Sequence, residues 1–515
     1  MGCNSLPNFK NEKAKMFYHD LSSINPGGKL NKEDAELSEN IQIKISINQI
    51  EKGYTYKIRL LNIKDYNQKS SLNEYAECIS QDNMTANLDL PIIIRYFFEI
   101  EQPLKIEILK TRSDDSETFQ VDTTLGCVMG SRKNTYQTNI FTSKREILIL
   151  KVEKLNKSEE VIRVSFDIKS NKKVSFEDIR NQMYFEIFSD IILYRSECIN
   201  KEGIFDPIKI PLGLFKDKNI IIVFYNSSRQ SCGNFTFNID DFTNRKTFNI
   251  KINGTQFQIV SKSFITQNFT FVDYLKAGIE IGLSVAIDFT RSNGPPNERT
   301  SLHCIHGIEK NQYERAIYSC GNIVAYYDYD QLFPCFGFGA KVNDRARSIF
   351  NLNFQDDPNV KYIDGIIDAY HNAVNAITFY GPTYFGPILS TINKMIKEEC
   401  YNLKYHILMI LTDGKIDDID NTIDALVEGS FLPLSVIIIG VGNDNFDTMK
   451  ILDADENPLI DSKGVRAVRD LVQFVPFIKY ESNPEKLANE VLAEIPRQLV
   501  EYYEQNNLDP IKLTT

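Results

Sequence analysis

The chain has 515 residues, with 69 acidic side chains against 58 lysines and arginines and a formal net charge of −11. Because a nucleic-acid binder presents a basic face or stripe, this balance argues against a nucleic-acid partner. The longest apolar runs, such as residues 434–441, stop well short of the roughly 18 residues that a membrane-spanning helix needs. The length predicts about three domains of ordinary size.

The nine cysteines are scattered, and no two of them form a C-x-x-C pair. This spacing argues against a zinc ribbon, a RING domain and a dense disulfide framework. The first residues also lack the apolar core of a secretory signal peptide. We therefore expect a cytoplasmic protein.

Residues 1–37 are polar and are interrupted by a Pro-Gly-Gly segment, which predicts a flexible tail. The second and third residues are Gly2 and Cys3, so Gly2 is available for myristoylation and Cys3 for palmitoylation. One departure from the myristoylation consensus is Leu6, where Ser or Thr is usual. Since one acyl chain alone holds a membrane only marginally, we expect both residues to be acylated. The alternative is a disordered tail without modification.

Short strands separated by turns fill the chain from residue 38 to residue 265. Ile41, Ile43 and Ile45 alternate with other residues at a period of two, and further apolar runs follow at regular spacing. Strands of this length and spacing predict antiparallel sandwiches. The polar stretch at residues 154–160 is the natural boundary, so we expect one sandwich over residues 38–153 and a second over residues 154–265.

The pattern changes to that of an α/β domain after residue 271. Near-continuous apolar runs are typical of strands that are buried on both faces. These runs are residues 281–287, 323–327, 405–411 and 434–441. Apolar residues recur at helical spacing over residues 363–377 and 388–396, and Asn483 caps a further helix. The alternation predicts a doubly wound α/β domain over residues 266–505.

Oxygen-bearing side chains follow two of the predicted strands. Asp288, Thr290 and Ser292 come at alternate positions after the first buried strand. Asp413 follows the strand that begins at residue 405, and Thr383 precedes a predicted helix between them. Ligands of open α/β sheets bind at the carboxyl ends of the strands, and hard cations such as Mg²⁺ prefer oxygen ligands. Each residue alone is also an ordinary cap or turn former, but together they predict a site for Mg²⁺ or Mn²⁺.

The order D-x-[ST]-x-S, then Thr, then Asp resembles the metal-ion-dependent adhesion site of a von Willebrand factor A domain. The chain is still more similar to the C-terminal domain of copines, over about residues 265–505. The segments that carry this resemblance are residues 274–278, 285–294, 333–340, 365–370, 380–383, 472–477 and 492–496. The resemblance implies that the five residues above hold the metal. Arg291 stands where the family usually has a small residue, so access to the metal is expected to differ.

Copines are cytosolic proteins with two C2 domains ahead of this domain, and the two predicted sandwiches fit that layout. The resemblance implies calcium-dependent binding of anionic phospholipid membranes through the C2 domains, and recruitment of protein partners through the A-type domain. It implies a place on the cytosolic face of the plasma membrane or of endomembranes, in signalling or membrane trafficking. We expect no enzymatic activity, because the sequence has no Walker-type phosphate loop, no G-x-S-x-G elbow and no H-E-x-x-H.

Calcium ligation is where the sequence departs from the family. The D-x-D expected in the first sandwich reads Lys110-Thr111-Arg112, although Asp114, Asp115 and Asp122 remain nearby as candidate ligands. The corresponding stretch of the second sandwich is residues 225–227, Tyr-Asn-Ser. A calcium site needs several carboxylates. The sequence therefore favours sandwiches that serve as scaffolding or for metal-free lipid contact over ordinary calcium ligation. The alternative to a copine-like phospholipid-binding protein is a calcium-independent scaffold, acyl-anchored or soluble, whose only ion site is the A-domain metal site.

Overall fold

A computed structural model describes most of the chain. The described residues are 19–20, 39–51, 54–64, 71–79, 85–87, 92–112, 115–141, 146–155, 160–170, 183–188, 192–196, 205, 208–212, 220–226, 228–237, 246–252, 255–306, 309–399, 403–444, 446–453 and 458–513. They form two compact units, one within residues 37–156 and 271–515 and the other within residues 14–36 and 157–270. None of the described helices is both long enough and apolar enough to cross a bilayer. Within the predicted tail, the described residues form one short strand, β1 (His19–Asp20).

The first β-rich region folds into two antiparallel sheets. Its elements are β2 (Glu39–Asn48), β3 (Thr55–Lys64), β4 (Ser71–Ile79), β5 (Thr85–Asn87), β6 (Ile92–Tyr96), β7 (Pro103–Arg112), β8 (Asp115–Thr124), α1 (Leu125–Gly130), β9 (Thr135–Asn139) and β10 (Ile147–Lys154). One sheet has the order β5-β2-β10-β9, with β6 also on β2, and the other has the order β4-β3-β7-β8. Leu104, Ile106 and Ile108 of β7 are buried at alternate positions, and the same inward face carries Lys110.

The second unit is also a pair of sheets. Its further elements are β11 (Glu160–Ser170), β12 (Met183–Phe188), β13 (Ile192–Arg195), β14 (Ile208–Pro211), β15 (Ile220–Asn226), β16 (Ser231–Phe237), β17 (Lys246–Ile252) and β18 (Thr255–Gln267). The sheets have the orders β1-β14-β11-β18-β17 and β13-β12-β15-β16. Phe166, Phe185 and Phe224 meet in the core with ring centroids 5.1–5.6 Å apart. The prediction of antiparallel sandwiches is confirmed.

The remaining elements alternate between helices and strands. They are α2 (Phe271–Lys276), β19 (Glu280–Asp288), α3 (Gln312–Ala325), β20 (Leu332–Phe338), β21 (Ala340–Val342), β22 (Arg345–Arg347), β23 (Phe350–Asn351), β24 (Asn359–Lys361), α4 (Tyr362–Ala376), β25 (Thr378–Phe379), α5 (Gly386–Glu398), β26 (Lys404–Thr412), α6 (Ile419–Gly429), β27 (Leu434–Gly440), α7 (Asp447–Leu452), β28 (Val472–Pro476), α8 (Pro484–Leu492), α9 (Ile495–Gln505) and α10 (Pro510–Leu513). The main sheet has the order β23-β20-β19-β26-β27-β28, with β24 also on β20. Its strands β20, β19, β26, β27 and β28 run parallel. Every residue of β19 and β27 is buried, as expected for strands covered on both faces, and the predicted α/β fold is confirmed.

One predicted strand is wrong. Residues 323–327 are the last turn of α3 and the two residues that follow it. The Asn311 side chain accepts a hydrogen bond from the backbone N–H of Glu314, whose carboxylate accepts one from the backbone N–H of Asn311. This capping box starts the helix. The apolar run is continuous because this end of the helix is buried, and a buried helix end looks like a buried strand over so few residues.

Within the first unit, the first sandwich packs directly on the α/β region. The hydroxyl of Tyr96 lies 2.6 Å from that of Tyr327, and both side chains are buried. The ring of Phe98 lies 5.0 Å from the ring of Tyr327. A Cβ atom at Gly130 would overlap the carbonyl oxygen of Tyr326, so this close approach requires glycine.

Candidate metal centre

Two neighbouring parallel strands end at the predicted site. In the pairing of β19 with β26, Ile287 lies opposite Leu411, so Asp288 and Thr412 end their strands at the same level. A short turn after β19 carries Thr290 and Ser292, and Asp413 follows β26 directly. Because both strands run parallel, these side chains meet at the carboxyl edge of the sheet, as the sequence predicts.

Hydrogen bonds join four of the five predicted residues. Asp288 Oδ1 accepts from the backbone N–H of Thr290 at 2.8 Å, and Asp288 Oδ2 accepts from Thr412 Oγ1 at 2.6 Å. Ser292 Oγ donates to Asp413 Oδ1 at 3.0 Å, and Thr290 Oγ1 lies 3.5 Å from the same oxygen. The two hydroxyls are 3.0 Å apart. The site thus gathers two carboxylates and two hydroxyls.

The fifth residue, Thr383, lies at the same edge. Tyr380 forms an isolated parallel bridge with Thr290, which places the segment before α5 beside the turn after β19. Thr383 is buried, and its backbone N–H donates to Asp417 Oδ2 at 2.9 Å. The carboxylate of Asp418 accepts from two backbone N–H groups at the start of α5, each at 2.9 Å. These contacts tie Thr383 to the loop that also carries Asp413.

Burial governs the charges of the two carboxylates. Asp288 is fully buried, and this burial raises its pKa. Burial and the nearby charge of Asp288 raise the pKa of Asp413 to about 7. Two buried carboxylates of like charge repel each other, and a divalent cation between them would remove that cost. A donor set of carboxylate and hydroxyl oxygens fits Mg²⁺ or Mn²⁺ and lacks the sulfur or imidazole that zinc sites favour.

Support for the site comes from residues that the sequence did not single out. His303 is fully buried; its Nε2 donates to the carbonyl oxygen of Asp288 at 2.7 Å, and its Nδ1 accepts from the hydroxyl of Tyr370 at 2.8 Å. Burial lowers the pKa of His303 to about 3, so this imidazole is neutral. Asn293 donates to the carbonyl oxygen of Thr290 at 3.2 Å and accepts from the hydroxyl of Tyr313 at 2.6 Å. The position of Asn293 directly after Ser292 could have indicated a role in supporting the site. The sequence around His303 contains no such indication.

Arg291 projects to the side of the site. Its guanidinium lies 5.0 Å from the centroid of the Tyr380 ring, and its Nε donates to the carbonyl oxygen of Phe379 at 3.4 Å. Lys341 lies on the same ring at 4.3 Å. Arg291 and Lys341 thus form a basic rim around Tyr380. It is through this rim that Arg291 would alter access to the metal.

The position of the expected D-x-D in the first sandwich holds an internal ion pair. Lys110 Nζ lies 2.7 Å from Glu51 Oε2 and 2.7 Å from Glu146 Oε1. The side chains of Lys110 and Glu146 are only 5% and 1% exposed. The ammonium also lies 4.5 Å from the centroid of the Tyr54 ring. A lysine, pointing inward from the end of β7, is thus the positive charge between these two carboxylates.

The structure separates the candidate calcium ligands. Asp115 begins β8, while Asp122 lies seven residues along the same strand and pairs with Lys105. At the ordinary rise of a strand they are about 23 Å apart, so they cannot bind one ion. Asp114 lies outside the described residues, as do the predicted acylation sites Gly2 and Cys3.

The strand order and the carboxylates and hydroxyls at the carboxyl edge are those of a von Willebrand factor A-like domain, here following two C2-like sandwiches. The family model described as Copine matches residues 301–511. Copine-D from Dictyostelium discoideum is 32% identical over 493 residues, which cover 90% of this chain and 90% of that protein. The chain therefore belongs to the copine family, as its motifs predicted.

Two solved structures show a looser likeness. The calcium-bound pair of C2 domains from Extended-Synaptotagmin 2 is 11% identical and matches 45% of this chain and 98% of that one, with a TM-score of 0.18. A von Willebrand factor type A protein from Catenulispora acidiphila is 11% identical and matches 67% of this chain and 52% of that one, with a TM-score of 0.27. The fold assignment follows from the sheet topology and does not depend on these superpositions.

Proposed function

We propose that the chain is a cytoplasmic peripheral membrane protein whose A-type domain recruits protein partners through Mg²⁺ or Mn²⁺. The observation that carries this proposal is the meeting of Asp288, Thr290, Ser292 and Asp413 at one strand edge. Held by these residues, a divalent ion would leave coordination positions for an oxygen of a partner. Thr383, which is buried at the same edge, would add a third hydroxyl.

The chain's own residues keep the site in place. Thr412 and the backbone of Thr290 hold both oxygens of Asp288. The neutral His303 donates a hydrogen bond to the backbone carbonyl of Asp288 and holds it in place. It brings no positive charge that would compete with the cation. This arrangement presents oxygen ligands before the metal binds, so little side-chain ordering remains to oppose binding.

Membrane attachment is proposed to depend on the N-terminus. Acylation of Gly2 and Cys3 provides two anchors, and two anchors hold a membrane stably where one does not. Lys10, Lys13 and Lys15 each contribute about 1 kcal/mol near an anionic leaflet. The ion pair of Lys110 supports calcium-independent attachment, because a positive charge already stands between two carboxylates of the first sandwich.

The metal proposal is tested with Asp288→Ala in the full chain. Calorimetry with Mn²⁺ should show binding to the unmodified protein and its loss in this variant, while circular dichroism shows an unchanged fold. Ser292→Ala, a milder change at an exposed hydroxyl, should weaken Mn²⁺ binding without abolishing it. Asp420→Ala, at an exposed carboxylate in the first turn of α6, is the matched control. Unchanged Mn²⁺ affinity in Asp288→Ala would refute the assignment.

The membrane proposal is tested with Gly2→Ala in cells that acylate the protein, with Gly27→Ala in the same predicted tail as the control. Gly2→Ala should move the protein from membranes to the cytosol even at high calcium. If the variant still pellets with liposomes of anionic phospholipid whenever calcium is added, the C2-like loops bind calcium, and calcium-dependent attachment is restored as the mechanism.

A further inference from the structure

Three carboxylates meet at the amino-terminal edge of the main sheet, opposite the Asp288 site. Glu280 begins β19, and Asp328 and Asp330 lie between α3 and β20. One ligand oxygen from each of the three lies within 4.8 Å of the other two. Glu280 and Asp328 are buried and Asp330 is exposed, so the cluster is open to solvent on one side.

One oxygen in this cluster is buried without a hydrogen bond. Asp328 Oδ1 accepts from the backbone N–H of Gln331 at 3.0 Å, whereas Asp328 Oδ2 receives no hydrogen bond from any described residue. The Asp328 side chain is fully buried. A buried carboxylate oxygen without a partner is costly unless a proton or a cation satisfies it.

Among the described residues, the cation that reaches this oxygen is Lys404, and it does so only loosely. Lys404 Nζ lies 3.7 Å from Glu280 Oε1 and 4.0 Å from Asp328 Oδ2. In the first sandwich, by contrast, Lys110 Nζ lies 2.7 Å from each of its two carboxylates. Three carboxylates around one distant ammonium leave an excess of negative charge. Burial raises the pKa of Asp328 to about 7 despite the opposing charge of Lys404, with the Asp330 carboxyl group adding to the increase.

We propose that Glu280, Asp328 and Asp330 form a second divalent-cation site, and that it takes Ca²⁺. Calcium accepts oxygen ligands at 2.3–2.6 Å in flexible geometry, so two ligands on opposite sides of one ion are up to about 5 Å apart, as the spacing here allows. Water on the side of Asp330 completes the coordination. This site goes beyond the proposed function and does not depend on the Asp288 site.

The site lies beside the contact with the first sandwich. Tyr327, whose hydroxyl meets that of Tyr96, directly precedes Asp328. The backbone N–H of Tyr329 donates to Glu280 Oε1 at 3.1 Å. A cation held here therefore stabilises the segment on which the sandwich packs. The chain has no tryptophan, so tyrosines are its sensitisers for terbium, a luminescent substitute for calcium.

The experiment uses the full chain carrying Asp288→Ala, which removes the other proposed site. Terbium should give tyrosine-sensitised emission that calcium displaces, and calcium should raise the Tm by a few degrees. Asp330→Asn should lower the affinities for terbium and for calcium about tenfold, because affinity follows the number of carboxylate ligands. The Tm rise at a given calcium concentration should be smaller in this variant. Glu398→Gln, at an exposed carboxylate on α5, should leave both unchanged. Lys404→Met should strengthen calcium binding, since the ammonium competes for the same oxygens.

Three outcomes would overturn the proposal. Terbium emission that is absent, or equal in Asp330→Asn and Glu398→Gln, means that no ion binds here. A Lys404→Met variant that loses stability without gaining calcium affinity means that the ammonium alone completes the cluster. A Tm that rises on acidification and does not respond to calcium means that Asp328 and Asp330 share a proton. None of these results bears on Mn²⁺ binding at Asp288.

Discussion

Replacing Lys110 by methionine should destabilise the first sandwich by about 3–5 kcal/mol, the cost of removing one partner of a buried ion pair. Nearly all of this cost belongs to Glu146, which is 1% exposed and would lose its cation. The Glu51 side chain is 54% exposed, so water replaces its share of the interaction and that share is at most about 1 kcal/mol. Burial alone would lower the pKa of Lys110, but its hydrogen bonds to Glu146 and Glu51 outweigh burial and raise it. The lysine is therefore charged at neutral pH.

The measurement is the free energy of unfolding of the full chain in urea, followed by circular dichroism. Lys151→Met is the matched control, because Lys151 is 47% exposed and pairs with Glu153 on the outer face of β10. The double variant Lys110→Met with Glu146→Gln should recover most of the loss, since it leaves no uncompensated buried charge. If Lys110→Met costs no more than Lys151→Met, the buried pair does not stabilise the sandwich.

The opposite charge at this position gives a second readout. Lys110→Asp would place a third carboxylate between Glu51 and Glu146, and calcium should then raise the Tm by more than it does in the unmodified chain. An equal calcium response in the two proteins would refute the view that the ammonium takes the place of a calcium ion.

Three further predictions concern two glycines and the buried His303. Gly130→Ala should cost about 1–3 kcal/mol and loosen the packing of the first sandwich on the α/β region, because its new Cβ would overlap the backbone of Tyr326. Gly365→Ala in α4 should instead stabilise the chain by about 0.5–1 kcal/mol, since the nearest atom to its new Cβ would be 3.9 Å away. Unfolding in urea, followed by circular dichroism, measures both glycine variants. On acidification, His303 in the folded chain accepts a proton near pH 3, whereas the same side chain in the unfolded chain accepts one near its ordinary pKa of about 6.5. Its contribution to stability is therefore complete above about pH 6.5 and is lost as the pH falls towards 3, so His303→Gln should flatten the acid limb of urea midpoints measured against pH.

The fold and the family could be predicted from the sequence because their signals are local. Alternation in β7 and the fully apolar runs of β19 and β27 identify how each strand is covered, and strand order along the chain identifies the doubly wound domain. The spacing of Asp288, Thr290 and Ser292 is likewise a property of one turn. The mistaken strand at residues 323–327 shows the limit of this reasoning, since burial on all sides removes the periodicity that separates a helix from a strand.

Tertiary structure decided which distant residues meet. Glu51, Lys110 and Glu146 come from three separate segments, and only the register of two sheets brings both carboxylates to 2.7 Å from the ammonium. The sequence showed that an expected aspartate was replaced by Lys110, but it did not show which carboxylates the lysine binds. The same holds for His303 beneath Asp288 and for Lys404 beside Asp328. Hydrophobic periodicity is a property of neighbouring residues and can be read from the sequence. The partners of a buried charge depend on packing between strands and loops that are far apart in the chain.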